Sequence, residues 1–240
     1  MKTERYRNEW KYLIDMAQKE LVCKRLFPYL QLDKHAQDGG YMIRSLYFDD
    51  YCKSAYEEKD AGVLKRKKYR IRIYNCSDSS IKLERKKKYG SYIFKEAAKL
   101  TREEVYKILD GDYGFLLKSE NRLLNEFYYE CVSNVMRPRT IVDYDREPWI
   151  SDEGTVRITF DMDVRAAVGS YDIFDATLPT LPVLEPGKCV MEVKFTEFLP
   201  QGVREILPDR GSEFTAVSKY VLCYEKTEYM NGLAKYWFDN

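Results

Sequence analysis

Apolar and polar residues alternate with period two in five stretches of the chain, the mark of strands that bury one face. The first is 41–49 (YMIRSLYFD). In 69–74, Tyr69, Ile71 and Ile73 share one face and Arg70, Arg72 and Tyr74 the other. In 81–86, Ile81 and Leu83 oppose Lys82, Glu84 and Lys86. The cleanest run is 156–165, with Val156, Ile158, Phe160, Met162 and Val164 on one side and Arg157, Thr159, Asp161, Asp163 and Arg165 on the other. Residues 189–195 set Glu192 and Lys194 against Met191, Val193 and Phe195. Helices are expected between the strands. Asp15 is placed to cap one that runs to Pro28, and Thr101 with Glu104 forms a capping box for another that Gly111 ends. Longer helices are expected over 116–134 and about 213–229. Strands and helices do not alternate regularly, so the expected class is α+β with a mostly antiparallel sheet.

The polar faces decide how the sheet is used. Strand after strand carries Arg, Lys or Glu on one side and large aliphatic residues on the other. Two arrangements fit. In one the apolar faces point inward and the charges meet solvent. In the other the sheet closes into a barrel whose interior is charged while helices cover its apolar exterior. Periodicity alone does not choose between them. A charged interior is costly unless it is wet or filled by a charged ligand, and a ligand that complements so many cations is a polyanion.

Composition sharpens this. The 240 residues carry a net charge of +1, and 45% are hydrophobic. Residues 61–95 nevertheless hold 12 basic and 2 acidic residues, which leaves the remainder at −9. A basic block in an acidic protein fits a focused anion site, or a solvated lysine face, which a charge run alone favours. Within it, Lys65–Lys68 and Lys87–Lys88 read as solvated loop charges that steer anions. The single histidine, His35, excludes zinc sites built from several histidines of one chain. The six cysteines contain no C-x-x-C pair, which fits buried thiols in a reducing compartment. No apolar stretch is long enough to span a membrane, and the N-terminus lacks the apolar core of a secretory signal, so the expected location is cytoplasmic. P-loop, G-x-S-x-G and kinase catalytic-loop motifs are absent.

Read in order, RNEWKYLI (7–14), SLYFDD (45–50), KYRIRIY (68–74), IKLERKKK (81–88), YDREPW (144–149), VRITFD (156–161), VMEVKF (190–195) and SKYVLCYEK (218–226) resemble the triphosphate tunnel metalloenzyme (CYTH-like) superfamily. The resemblance is nearest to the VTC domain, the catalytic domain of vacuolar transporter chaperone polyphosphate polymerases, and runs from about residue 5 to 230. It implies one domain over 1–240, an antiparallel β-barrel forming a charged tunnel with helices packed outside.

The resemblance also implies site residues. Arg70 and Arg72 match the paired arginines that hold nucleotide phosphates, with Lys11, Lys86 and Lys95 as further phosphate ligands along the tunnel wall. Tyr144, Arg146 and Arg157 would contact the phosphate chain, and Lys194 shares a strand face with Glu192, the expected metal-binding glutamate. Glu9 and Glu84 are candidate helpers for Mn²⁺ or Mg²⁺. Ser218 and Lys219 match a pair that binds phosphate near the tunnel mouth. The hydrolytic branches carry E-x-E-x-K where this chain has Arg7, Glu9 and Lys11. That exchange of a carboxylate for a cation favours transfer to a phosphate chain, whose attacking oxygen is already ionised, over attack by water. The expected reaction is transfer of the terminal phosphoryl group of ATP to polyphosphate. A triphosphatase of the same fold and a non-catalytic binder of polyphosphate or nucleic acid are the alternatives. Nucleic acid is not the expected partner; the resemblance leaves room for a membrane partner, whose existence the sequence does not decide.

Overall fold

The computed structural model describes residues 8–36, 39–90, 92–151, 155–196, 198–208 and 217–228. Along the chain lie β1 (Asn8–Asp15), α1 (Met16–Leu26), β2 (Gln31–Leu32), β3 (Tyr41–Asp49), α2 (Ser54–Asp60), β4 (Lys65–Tyr74), β5 (Ser77–Tyr89) and β6 (Tyr92–Leu100). Then follow α3 (Arg102–Leu109), a 3₁₀ turn (Gly114–Lys118), α4 (Arg122–Ser133), β7 (Arg137–Ile150), β8 (Arg157–Ala167), β9 (Thr180–Pro182), β10 (Lys188–Phe195), α5 (Gln201–Arg204) and α6 (Lys219–Thr227). The strands make one antiparallel sheet in the order β1-β10-β8-β7-β3-β4-β5-β6, with β2 beside β7 and β9 beside β8.

The α+β class and the antiparallel sheet are as the sequence predicts. Among the described residues the hydrogen-bonded ladder does not close into a barrel, because it ends at β1 and β6. Side chains make the connection instead. Lys86 of β5 reaches Glu9 of β1 at 2.8 Å although these strands stand near opposite ends of the sheet, so the sheet curls with its charged face inside. The two faces are chemically separate. Outside β3–β6, Leu46, Phe48, Tyr69, Ile71, Ile73 and Leu83 pack under α3 and α4 through Val105, Ile108, Leu124 and Phe127. Outside β1, β8 and β10, Tyr12, Ile14, Ile158, Phe160, Met191 and Val193 pack with Val22, Cys23 and Leu26 of α1. Burial of such side chains contributes about 1.5–3 kcal/mol each.

Local signals explain most boundaries. Asp15 and Gln18 close a capping box at the start of α1, as do Thr101 and Glu104 for α3. The β4–β5 hairpin turns through Asn75 and Cys76, both left-handed at φ 50° and 51°, as a two-residue turn of this hand requires. Gly40 enters β3 where a Cβ would stand 2.6 Å from the Arg146 carbonyl oxygen.

Four expectations are corrected. The helix expected over 116–134 is split, because Asn121 accepts from the Leu123 amide and restarts the helix as α4. Of the helix expected over 213–229, α6 covers Lys219–Thr227, while 209–216 and residues from 229 onward lie outside the described residues. The alternation of 156–165 breaks at Asp163, whose left-handed backbone (φ 47°) forms a bulge against β7. Past it, Val164 and Ala166 turn to the inner face, where they meet Val142, Tyr144 and Cys223 of α6. It follows that α6 is not packed outside; it lies against the inner face of β7 and β8 and forms part of the tunnel wall.

Candidate functional site

Strand parity and register bring the predicted residues together. Lys11 pairs across the ladder with Glu192, Glu9 with Lys194, and Arg146 with Asp161. Arg70 stands opposite Glu84, and Lys86 opposite Lys95. Residues directly opposite in a ladder share a face. Lys11, Arg70, Arg72, Lys86, Lys95, Tyr144, Arg146, Arg157, Lys194, Glu9, Glu84 and Glu192 therefore all belong to the inner face, with Lys219 added by α6.

Two clusters organise the charges. In the first, Arg70 grips Glu84 through Nε (2.8 Å) and Nη2 (2.7 Å) and donates to the Tyr47 hydroxyl at 2.8 Å. Lys95 lies 2.5 Å from the other Glu84 oxygen. Arg72 donates to Ser45 Oγ (3.3 Å) and the Tyr144 hydroxyl (3.1 Å). Burial opposes ionisation of Glu84, yet Arg70, Arg72 and Lys95 overcome it and hold the carboxyl far below its usual range. Burial outweighs the Glu84 contact for Lys95, whose pKa falls to about 8.

In the second, Lys219 lies 2.5 Å from Asp161 and 3.1 Å from Glu192. Lys194 contacts the other Glu192 oxygen at 2.6 Å, and Lys11 approaches Glu192 at 3.4 Å. Arg146 is held by Asp161 in a two-pronged contact (2.6 and 2.7 Å), with Glu192 at 3.6 Å. Despite its burial, Glu192 is kept ionised by Lys194, Lys219, Lys11 and Arg146. Glu9 is likewise buried, but Lys86, Lys194 and Lys11 bring it down to about 2. Burial depresses both Lys86 and Lys194.

Two predicted residues sit apart from these clusters. Arg157 is at the rim, donating to the Tyr41 hydroxyl (3.1 Å) and pairing with Asp33 at 3.2 Å. Ser218 occupies the N-cap position of α6 without a side-chain capping bond, its Oγ 3.4 Å from Lys68. Arg7 lies outside the described residues.

The structure adds residues that sequence reasoning passed over. Asp161 was on the charged face of VRITFD, and its parity was the signal. Lys68 is not a solvated loop charge: it stands in line with Arg70 and Arg72 on β4, its Nζ 4.4 Å from the Tyr220 ring centroid. Tyr47 and Thr159 also face inward, and the Thr159 hydroxyl, opposite Glu192 in the ladder, is buried without a hydrogen-bond partner among the described residues.

Oxygen donors such as these suit Mg²⁺ or Mn²⁺, which take one or two carboxylates and complete their shell with phosphate oxygens and water. Glu192 and Glu9 fit that role because both are ionised and face each other diagonally across β1 and β10, and the unpartnered Thr159 hydroxyl lies beside Glu192. Among the described residues no cluster of three or more His, Cys, Asp or Glu side chains forms a metal cage, so a bound ion would draw its remaining ligands from phosphate.

The family model for the VTC domain matches residues 6–228. The chain belongs to that family. The fold of this VTC domain also recurs in solved structures. One is a putative adenylyl cyclase from Hippeastrum with a dominant triphosphatase activity (14% identity, TM-score 0.55, covering 92% of this chain and 96% of that one). Another is a putative adenylate cyclase from Vibrio parahaemolyticus (9% identity, TM-score 0.52, covering 92% and 99%). No curated protein sequence matches the chain. The fold of the VTC domain here is thus that of triphosphate tunnel proteins. No helix among the described residues is long and apolar enough to cross a membrane.

Proposed function

We propose that this VTC domain, as one domain, is a polyphosphate polymerase that transfers the terminal phosphoryl group of ATP to the end of a polyphosphate chain held along its inner face. Family membership and the tunnel fold support a triphosphate-related function. The polymerase reading rests on one observation: the carboxylates of the two clusters, Glu9, Glu84, Asp161 and Glu192, are each neutralised by cations, while Lys68, Lys86, Lys95 and Lys194 hold their protons less firmly than ordinary lysines. An anion on such a face would offset the burial that disfavours the charged form of these lysines.

The same carboxylates bear on the chemistry. Water attacks phosphorus well only when something accepts its proton. Glu9, Glu84, Asp161 and Glu192 are all held below the usual carboxylate range and are poor proton acceptors. A phosphate chain end arrives already ionised and requires no base. In this reading Arg70, Arg72, Lys86 and Arg157 hold the phosphates of ATP, the arginines presenting planar donor pairs to phosphate oxygens. Lys11, Lys95, Arg146 and Lys219 hold the acceptor chain, with Tyr144 fixing Arg72 and Ser218 at the start of α6. Catalysis is then alignment of two polyanions and neutralisation of the charge that develops between them. Glu192, aided by Glu9, would hold a divalent ion, which would supply further charge neutralisation.

Hydrolysis is the second reading, favoured by the triphosphatase activity of the Hippeastrum neighbour. Incubation with ATP and Mn²⁺, with ADP, free phosphate and acid-stable polymer measured separately, tests both. Polymer formed alongside ADP supports the polymerase. Free phosphate matching ADP, without polymer, replaces it with the triphosphatase. Neither product leaves a non-catalytic binder.

A further inference from the structure

Parity and register extend the basic face beyond the cluster around Glu84. Moving outward along β4 from Arg72 and Arg70, the next inward positions are Lys68 and Arg66, which stand opposite Lys86 and Lys88 of β5, with Lys95 of β6 beside Lys86. Like charges directly opposite in a ladder repel. Glu9 relieves Lys86, but Lys68 has no carboxylate within ion-pair distance among the described residues.

The groups that face Lys68 explain its state. From α6 come the Ser218 hydroxyl at 3.4 Å and the Tyr220 ring at 4.4 Å. From β5 comes Lys86, from β1 Lys11, from α2 Lys59, and from its own strand Arg66. The carboxylate on this side, Asp49 of β3, is engaged by the Tyr220 hydroxyl (2.6 Å) and by the amides of Asp50, Ala55 and Tyr56. A half-buried ammonium between a ring face and a weak hydroxyl contact, ringed by other cations, is poorly compensated, and an anion there would complete it.

Two residues of strand span about 7 Å, so Lys68 lies about 7 Å beyond Arg70 and about 14 Å beyond Arg72. We propose that Lys68 is a length-determining ligand of the site, reached by a phosphate chain longer than the triphosphate held at Arg70 and Arg72. This rests on the polyphosphate reading above. Burial, reinforced by Lys11, lowers the Lys68 pKa to about 7. Its contribution is therefore full below about pH 7 and weakens as pH rises, until bound phosphate can no longer keep it protonated.

The test compares affinities for tripolyphosphate and for a long-chain polyphosphate, by calorimetry, in the wild-type protein, Lys68→Met and Lys68→Arg, with thermal melts to establish folding. The ratio of long-chain to tripolyphosphate affinity should fall roughly tenfold or more in Lys68→Met, as expected for a lost charge-assisted contact. In the wild type the ratio should fall between pH 6 and pH 9. Lys68→Arg should keep a high ratio and lose that pH dependence. Equal loss for both anions in Lys68→Met, or an unchanged ratio, overturns the assignment while leaving the polymerase reading intact. A wild-type protein that binds neither anion overturns both.

Discussion

Replacing Lys219 by Met removes the cation shared by Asp161 and Glu192, and the structure sets the size of the effect. Lys219 stands 2.5 Å from one carboxylate and 3.1 Å from the other, and both are buried. Breaking a buried ion pair from one side costs about 3–5 kcal/mol, because the remaining charge is stranded. Asp161 keeps both Arg146 contacts and Glu192 keeps Lys194 at 2.6 Å, so the loss belongs at the lower end, about 3 kcal/mol. With a urea dependence of about 3 kcal/mol per molar, the unfolding midpoint should fall by about 1 M. The effect should depend on pH in a defined direction. Both carboxyls are held below their unfolded values, so their stabilisation is present above about pH 4 and is lost as pH falls through the folded values. Loss of Lys219 raises those folded values. The gap between wild type and variant should thus be largest at neutral pH and shrink as pH falls through the variant's raised folded values. Urea unfolding at pH 7 and pH 4 measures this. A loss under about 1 kcal/mol, or one that grows as pH falls, would refute the claim that Lys219 neutralises this pair.

Three further outcomes are expected. Long-chain polyphosphate binding at pH 8 should take up about half a proton more in the wild type than in Lys95→Met, and the difference should vanish at pH 6, because Lys95 titrates at about 8 when no anion is present; calorimetry in buffers of different ionisation heat reads the count. Glu192→Gln should bind polyphosphate without metal at least as tightly as the wild type, since an inner-face anion is gone, while Mn²⁺-dependent turnover falls by about 10²-fold; unchanged turnover would remove Glu192 from the metal site. Gly40→Ala drives a Cβ to 2.6 Å from the Arg146 carbonyl oxygen and should cost about 2 kcal/mol, seen as a melting temperature lower by roughly 4–8 °C.

Much of this architecture was legible because alternation encodes two faces. The runs at 69–74 and 81–86 placed Arg70, Arg72, Glu84 and Lys86 together, and the ladder preserves that parity. Alternation did not say which face points inward. That depends on the curl of the whole sheet, which the family resemblance supplied and the Lys86–Glu9 contact makes visible. Parity also failed where the backbone breaks it. The bulge at Asp163 turns Val164 inward and prepares the apolar seat on which Cys223 of α6 rests. A left-handed aspartate within a regular run leaves little trace in sequence, so α6 was expected outside. Lys68 was misread for another reason: four consecutive basic residues look solvated until the strand is known to extend back to Lys65. Arg44 and Arg85 show the converse, charges on the outer face that are nevertheless buried, the first by Asp143 and the second by Glu96 and Glu126.

The position of α6 has a consequence for how the domain comes into being. β1 pairs with β10, some 180 residues later, and the lysine that settles Asp161 and Glu192 arrives later still. Contacts of such long range form slowly, because loop closure must precede any gain. A nascent chain can build the β3–β6 meander and its helical cover early. The proposed anion site, whose wall includes Lys11 of β1 and Lys219 of α6, is complete only once those two elements have met the sheet. On the proposed function, capacity to bind a polyanion is therefore expected late in folding, with completion of the whole sheet.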